Sequence, residues 1–160
     1  MGIPMTRTIK AKDLPTLVGS ELEPSDWLEI TQERVNQFAD ATNDFQFIHV
    51  DPDKAAKTPF GGPIAHGFLS LSLLSYLNAQ SAVLPENLVM GINYGSDKVR
   101  YLAPVRVGKR IRSRQTILDV TEKSPGQWLM KTAVTVEIED EETPALIAEI
   151  LSMFVVNPAA

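Results

Sequence analysis

The sequence lacks cysteine altogether, has only two histidines and contains no long apolar run. The absence of cysteine excludes disulfides, thiolate metal sites and a cysteine nucleophile. No stretch approaches the roughly 18 apolar residues that a membrane span needs, and the segment from Met1 to Lys10 has no apolar run of signal-peptide length. We therefore expect a cytoplasmic protein that does not enter a membrane.

Positive charge is also scarce. The chain has 15 Lys and Arg residues against 20 Asp and Glu residues, which gives a formal net charge of −5. General nucleic-acid binding is not expected, because a basic surface is needed to neutralise the phosphates. The sequence also has no phosphate-binding glycine loop, no nucleophile elbow and no dinucleotide fingerprint.

What is present is the composition of an ordinary globular protein. The 160 residues are 44% hydrophobic and 22% charged. A chain of this length most often forms one domain that buries roughly 70% of its unfolded surface. No internal repeat or linker divides the chain, so we predict a single domain over residues 1–160.

Two helices are predicted in the first half. Residues 31–42 carry apolar and small side chains at helical spacing, and Thr31 suits the N-cap. A short helix is predicted to start at Pro52, because proline suits the first helical position and Asp51 can cap it. This helix ends before the breaker cluster of residues 59–63.

A third helix and a set of strands follow. From Ile64 to about Gln80 the sequence is apolar nearly all round, which is typical of a buried helix. Later stretches have the character of long antiparallel strands with one solvated face. These stretches cover residues 87–101, 108–121, 127–139 and 145–156. With a further strand near Asp26–Ile30, the order of elements predicts an α+β protein whose sheet of five or more strands curves around one buried helix.

Basic side chains are concentrated in one band of the sequence, where Asp97 is the only acid nearby. The band consists of Lys98, Arg100, Arg106, Lys109, Arg110, Arg112 and Arg114. Such a band could meet a small polyanion such as the phosphates of coenzyme A. A solvated strand face explains each residue equally well, so both interpretations remain open.

The two histidines, His49 and His66, lie in the loop-rich region before the predicted buried helix. Asp44 precedes His49 by five residues, so on a continuous helix their side chains would diverge by about 140°, and on a strand they would face opposite sides. They converge only if the backbone between them is irregular, which its place between two helices permits. An aspartate and a histidine that converge can orient one water and move protons on and off it.

The same residues also allow purely structural interpretations. Asn43 and Asp44 can form a turn that ends the helix, and His49 can be a partly buried histidine with satisfied hydrogen bonds. Asp51 is explained well as a helix cap. A metal site formed by His49, Asp51 and His66 is a further option, but a short His-x-Asp motif with one distant histidine is a weak signal. We predict that no metal is bound.

Gly67 stands where the breaker cluster gives way to the predicted buried helix. The first N–H groups of a helix have no partner within it and attract negative charge. With a thioester substrate, the Gly67 N–H would stabilise the carbonyl oxygen as charge develops there. The alternative is that this glycine only permits close packing of the helix against the sheet.

Several segments together carry a family resemblance. The first two are Phe38-Ala39-Asp40-Ala41-Thr42-Asn43-Asp44-Phe45-Gln46-Phe47-Ile48-His49-Val50-Asp51 and Ile64-Ala65-His66-Gly67-Phe68. Asn93-Tyr94-Gly95, Val99-Arg100-Tyr101 and Pro104-Val105-Arg106-Val107-Gly108 extend the match. The chain resembles the MaoC-like (R)-specific enoyl-CoA hydratases over about residues 13–155.

The resemblance implies roles for particular residues. The water-activating aspartate and histidine of the family correspond to Asp44 and His49. The thioester oxyanion contact corresponds to the amide of Gly67, and a helix serine that lines the family's site corresponds to Ser75.

One departure from the family motif points to a branch of the family. Gln46-Phe47 stands where the motif has Asn-Pro, and this variant resembles the nodulation protein N-like branch. The departure leaves the catalytic pair intact. The residues that we expect to bind substrate are Gly67, Ser75, Gln46 and Arg100.

The resemblance also implies a fold and a reaction. The fold is the hot dog, an antiparallel sheet wrapped around a central helix, with a core over about residues 13–156. A homodimer is expected, with an acyl-CoA thioester bound between protomers and no cofactor beyond the coenzyme A of the substrate. The implied reaction, that of a lyase of fatty acid metabolism, is (R)-specific hydration of trans-2-enoyl-CoA to (R)-3-hydroxyacyl-CoA.

Two alternative functions remain. One is an acyl-CoA thioesterase, in which the same water would attack C1 instead of C3. The other is a non-catalytic acyl-binding hot-dog subunit. The presence of both Asp44 and His49 favours hydration over either alternative.

Overall fold

The computed structural model describes residues 7–157 and shows a layer of helices on a curled antiparallel sheet. Two segments of the predicted domain, residues 1–6 and 158–160, lie outside the described residues. In chain order the elements are β1 (Arg7–Ile9), a 3₁₀ helix (Ala11–Leu17), β2 (Leu28–Glu29), α1 (Gln32–Thr42), α2 (Phe47–Val50), α3 (Pro52–Ala55), α4 (Gly67–Ser72), α5 (Leu74–Ala79), β3 (Val83–Pro85), β4 (Leu88–Tyr101), β5 (Arg110–Ser124), β6 (Gln127–Ile138) and β7 (Leu146–Val156).

The main sheet has five strands in the order β2-β5-β6-β7-β4, and all four neighbouring pairs are antiparallel. The four long strands and the short strand near Asp26–Ile30 are confirmed. In β5 and β6 buried and more accessible residues alternate, because successive side chains of a strand point to opposite faces. Strands β1 and β3 form a separate parallel pair that the sequence did not predict.

Local sequence signals explain where α1 and α3 begin. The side chain of Thr31 accepts a hydrogen bond from the backbone N–H of Arg34, so Thr31 is the N-cap of α1 as predicted. Asp51 accepts one from the N–H of Lys54 and caps α3, with Pro52 in its first turn. Both helix starts are confirmed.

The structure differs in three respects from the single buried helix predicted from Ile64 to about Gln80. Ile64 forms an antiparallel bridge with Arg106, so helix α4 starts only at Gly67. The helix is then interrupted at Leu73 and continues as α5. It is also not buried on all sides, since Phe68 is 70% exposed.

The core lies between the helices and the concave face of the sheet. Leu69, Leu74 and Leu77 from α4 and α5 pack with residues of the long strands such as Val134 and Leu146. Each such side chain stabilises the fold by about 1.5–3 kcal/mol when fully buried. A second cluster anchors the 3₁₀ helix to the other end of the sheet. Among the described helices, none is both long and apolar enough to cross a membrane.

Candidate active site

The segment between α1 and α2 brings Asp44 and His49 together. Helix α1 ends at Thr42, and its C-cap is Asn43, whose φ of 57° is left-handed, a conformation that asparagine adopts more readily than most residues. The chain then has no regular structure over residues 44–46 before the single turn of α2, which the sequence did not predict. An Asp44 carboxylate oxygen and a His49 ring nitrogen consequently lie within 4.8 Å of each other. The irregular backbone that their convergence requires is present.

His49 is buried, and hydrogen bonds hold both its ring and its backbone. Its Nδ1 lies 2.7 Å from the backbone oxygen of Ile64. The side chain of Gln32 donates to the backbone oxygen of His49 at 2.7 Å. A carbonyl oxygen can only accept, so Nδ1 carries the ring proton and Nε2 of the neutral ring has a free lone pair. This is the form in which a histidine can take a proton from water.

The Asp44 carboxylate is accessible, with a side chain that is 51% exposed. Its Oδ1 accepts a long hydrogen bond of 3.3 Å from the backbone N–H of Gln46. Two hydrogen bonds of about 2.8 Å to one water span up to about 5.6 Å between the outer atoms. A single water can therefore bridge the Asp44 carboxylate and the His49 ring.

The surroundings of His49 favour its neutral form. Burial lowers the pKa of His49, because the imidazolium loses hydration. Positive charge on His66 acts in the same direction, whereas the hydrogen bond to Ile64 and the charge of Asp44 raise the pKa of His49. Burial is the largest of these effects, so His49 is available as a base in neutral solution.

His66 lies directly against this pair. It is only 3% exposed, and its ring stacks on that of His49 with centroids 3.8 Å apart and an interplanar angle of 25°. Its Nε2 lies 3.0 Å from the backbone oxygen of Asp44 and 4.0 Å from Oδ2 of the same residue. Both histidines of the chain therefore contribute to one cluster with Asp44.

The cluster bears on metal binding. Asp44, His49 and His66 each place one potential ligand atom within 4.8 Å of the other two. Asp51, the third ligand considered from the sequence, instead caps α3 and pairs with Lys54 at 3.2 Å. The two imidazole rings are nearly parallel, so their in-plane lone pairs do not converge on one ion as tetrahedral ligands must. The absence of a bound metal stays a prediction.

A cavity of about 480 Å³ opens beside His49, with Gly67 and Tyr101 in its walls. Gly67 is the first residue of α4, and its N–H has no hydrogen bond to any other described residue. A Cβ added to Gly67 would lie 3.0 Å from Cε1 of Tyr101. The two roles considered for Gly67 are therefore compatible, since the glycine permits close packing and presents an N–H group at the cavity.

The remaining predicted substrate residues do not line this cavity. Ser75 lines a second cavity, of about 590 Å³, between the helices and the sheet. Gln46 is exposed, and its backbone N–H and carbonyl bond to Asp44 and His49. Arg100 is exposed on β4, where its side chain donates to the backbone oxygen of Val99 at 3.1 Å. A role for these three residues in binding substrate stays a prediction.

Most of the basic band is neutralised on the surface of the sheet. The ion pairs are Lys98–Glu149, Lys109–Glu141, Arg110–Glu139, Arg112–Glu137 and Arg114–Glu21. Arg100 and Arg106 make no ion pair with the described residues. The solvated strand face therefore explains most of the band better than a coenzyme A site does.

Tyr101 was not singled out from the sequence, although it lines the cavity and contacts Gly67. Its phenol is partly buried, and this burial raises the pKa of Tyr101. The only sequence signal for Tyr101 was its place in the segment Val99-Arg100-Tyr101. The pattern of a strand does not show which of its residues meets the start of a distant helix.

Comparison with known proteins places this geometry in a family. Residues 13–141 match the family model described as MaoC like domain. The chain is 47% identical over 151 residues to nodulation protein N of Rhizobium meliloti (strain 1021), which covers 94% of each protein. It is 45% identical to 3-hydroxyacyl-thioester dehydratase Z of Mycobacterium tuberculosis, over 89% of this chain and 94% of that protein.

A solved structure supports the same conclusion. The (R)-hydratase from A. caviae involved in PHA biosynthesis aligns with a TM-score of 0.69 and 25% identity, covering 84% of this chain and 94% of that one. The curled sheet with its helices is thus a hot-dog fold, as predicted. The chain belongs to the MaoC-like dehydratase family. Its hydratase and dehydratase relatives support a hydro-lyase kind of enzyme.

Proposed function

We propose that this protein adds water to trans-2-enoyl-CoA and forms (R)-3-hydroxyacyl-CoA. The observation that carries the proposal is the separation of at most 4.8 Å between Asp44 and the neutral, buried His49, which lines the cavity that contains Gly67. One water held by both side chains would face a substrate in that cavity. No cofactor is required, because the coenzyme A thioester itself makes C3 electrophilic.

In the proposed reaction, His49 takes a proton from the water, and this proton is later delivered to C2 of the substrate. Nε2 of His49 removes a proton from the water that Asp44 orients, and the water oxygen bonds to C3. The electron pair of the C2–C3 double bond shifts toward C2 and the thioester oxygen, where the N–H of Gly67 stabilises the charge. The proton held by the pair then moves to C2, and the histidine returns to its neutral form.

The stereochemistry follows from the one-sided position of the pair. Asp44 and His49 would hold one water on one side of the substrate, so the oxygen and the proton reach the same face and the addition is syn. The names of two relatives, an (R)-hydratase and a 3-hydroxyacyl-thioester dehydratase, support the (R) product and a thioester substrate.

A second copy of the chain is part of the proposal. Strand β4 is an edge of the main sheet, and its free side pairs with no strand in the described part of the chain. It carries exposed apolar residues, namely Val89, Met90, Ile92 and Tyr94. Pairing of edge strands in a twofold dimer would cover these side chains.

The test is an assay with crotonyl-CoA and longer trans-2-enoyl-CoA substrates, followed by chiral analysis of the product. We expect loss of the enoyl-thioester absorbance without release of free coenzyme A, and an (R)-3-hydroxyacyl product. Release of a free thiol without hydration would indicate the thioesterase instead. Binding of acyl-CoA without any turnover would indicate a non-catalytic subunit.

A further inference from the structure

We propose that His66 is a positioning residue that holds Asp44 and His49 in their working geometry. This inference rests on the proposed function, because it assigns a task to a neighbour of the proposed catalytic pair. His66 does not line the cavity beside His49, so it is placed to act through Asp44 and His49 and not on the substrate.

A hydrogen bond connects His66 to Asp44. Nε2 of His66 lies 3.0 Å from the backbone oxygen of Asp44, an atom that only accepts. The proton of the neutral His66 ring is therefore on Nε2. Asp44 follows the left-handed Asn43 in a segment without regular structure. This bond consequently ties an irregular loop to the residue that precedes Gly67.

Ring contacts hold His66 and His49 against each other. The His66 ring stacks on His49 at 3.8 Å, and Phe38 packs against His66 with centroids 5.0 Å apart. His66 and Phe38 are therefore placed to support the imidazole of His49, whose Nδ1 is already bonded to Ile64. An imidazole held both by a ring face and by a hydrogen bond has little freedom to rotate away from the water.

Two substitutions separate these effects. His66→Phe keeps an aromatic ring against His49 but removes the bond to Asp44. His66→Gln keeps an N–H donor of similar reach but removes the ring. Tyr76→Phe is the control, because Tyr76 lies on α5 and lines neither cavity. Thermal melts of every variant establish that it is folded.

The expected result is a loss in kcat with little change in KM. Misplacement of reacting groups by about 1 Å costs about 10²-fold in rate, so we expect kcat of His66→Phe for crotonyl-CoA to fall by about that factor. His66→Gln should retain more activity than His66→Phe, because it keeps a donor for the backbone oxygen of Asp44. Tyr76→Phe should match the unsubstituted protein. A folded His66→Phe protein with normal kcat, or with a loss that appears in KM and not in kcat, contradicts the proposal.

A measurement on the unsubstituted protein covers the case in which the variants do not fold. Long-range ¹H–¹⁵N NMR spectra at about pH 8 report which nitrogen of each neutral imidazole carries the proton. We expect the Nδ1–H tautomer for His49 and the Nε2–H tautomer for His66. An Nδ1–H tautomer for His66 would overturn the proposal, because its Nε2 could not donate to Asp44. The tautomers do not depend on turnover, so a protein without hydratase activity would refute the proposed function and leave this result separate.

Discussion

At the scale of single residues, Asp44 is weakly constrained, whereas its neighbours hold His49 firmly. The Asp44 side chain is half exposed, and the only described hydrogen bond to its carboxylate is the long one from Gln46. The orientation of His49 is set by the carbonyl of Ile64 and by the ring of His66. The chemistry proposed for the pair therefore depends on residues that are not themselves proposed to react.

The first prediction tests the pair directly. Asp44→Asn and His49→Gln should each lower kcat for enoyl-CoA hydration by at least about 10²- to 10⁴-fold, the usual effect of losing a positioned acid or base. The double variant should be hardly slower than the slower single variant, because residues that act as a unit are not additive. Asp40→Asn, an exposed change on α1, is the matched control. Near-normal turnover of a folded Asp44→Asn protein would leave Asp44 as a turn residue only.

The second prediction concerns stability and pH. The folded state lowers the pKa of His49 below its ordinary value of 6.5, so below about pH 6.5 the unfolded chain binds more protons at this residue than the folded chain does. The free energy of unfolding should therefore fall as the pH drops from about 6.5 to 5, and His49→Gln should reduce this slope. Denaturant titrations at several pH values measure it. Equal slopes for the two proteins would show that protonation of His49 does not destabilise the folded protein.

At the scale of elements, the start of α4 and the end of β4 are fitted to each other. The Tyr101 ring occupies the space in which a side chain at position 67 would begin. Helix α4 carries the Gly67 N–H at its first residue. Helix α5 follows it directly and brings Ser75 to the larger cavity. The helix pair therefore links the proposed thioester site to a space that can hold an acyl chain.

The third prediction tests the contact between Gly67 and Tyr101. Gly67→Ala should destabilise the protein by about 1 kcal/mol, the low end of the usual cost of overpacking, because the half-exposed Tyr101 ring can shift. Tyr101→Ala alone also destabilises the protein, because it removes packing. Combined with Gly67→Ala, it should relieve the clash between the new methyl group and the ring. The double-variant cycle should therefore show a coupling free energy of at least about 0.5 kcal/mol. Denaturant unfolding supplies the four free energies. Additive effects would show that the ring and the glycine do not constrain each other.

The fourth prediction tests the larger cavity. Ser75→Phe should fill part of the 590 Å³ space and lower kcat/KM for long trans-2-enoyl-CoA substrates by about 10-fold or more, relative to crotonyl-CoA. The short substrate is the internal control, since its acyl chain would end before the obstruction. An equal effect on short and long substrates would remove the acyl chain from this cavity.

At the scale of the whole molecule, one face of the sheet carries a series of ion pairs, and one edge has no neighbouring strand within the described residues. Strand β5 carries a series of ion pairs with β6 and with Glu21. Strand β4, which is an edge of the sheet, has exposed apolar side chains mainly in its first half. Long apolar edge strands of soluble proteins are usually covered by another chain or element.

The fifth prediction concerns assembly. Light scattering at micromolar concentration should give twice the chain mass of 17.6 kDa. Met90→Lys combined with Tyr94→Lys should shift the protein toward the monomer, because charged side chains oppose pairing at an edge. Thr121→Lys, an exposed change on β5, is the control and should leave the mass unchanged. A fully active 17.6 kDa monomer would remove the dimer from the proposed function.

The sequence by itself determined where several helices and strands of this protein lie, because helix caps and strand patterns act over only a few neighbouring residues. Caps at Thr31 and Asp51 fixed where α1 and α3 begin, and the alternation of side chains predicted the long strands of the sheet. The spacing of Asp44 and His49 also required an irregular segment between them, which the structure has. These features depend on neighbours in the chain.

Only the tertiary structure decided the features that depend on distant residues. The bridge between Ile64 and Arg106 delays the start of α4, and the cross-strand acids neutralise most of the basic band. The stacking of His66 on His49 joins residues 17 positions apart, and the contact between Gly67 and Tyr101 joins two distant elements. No periodicity along the chain encodes such contacts, because they form only when the sheet curls and brings separate segments to the same place.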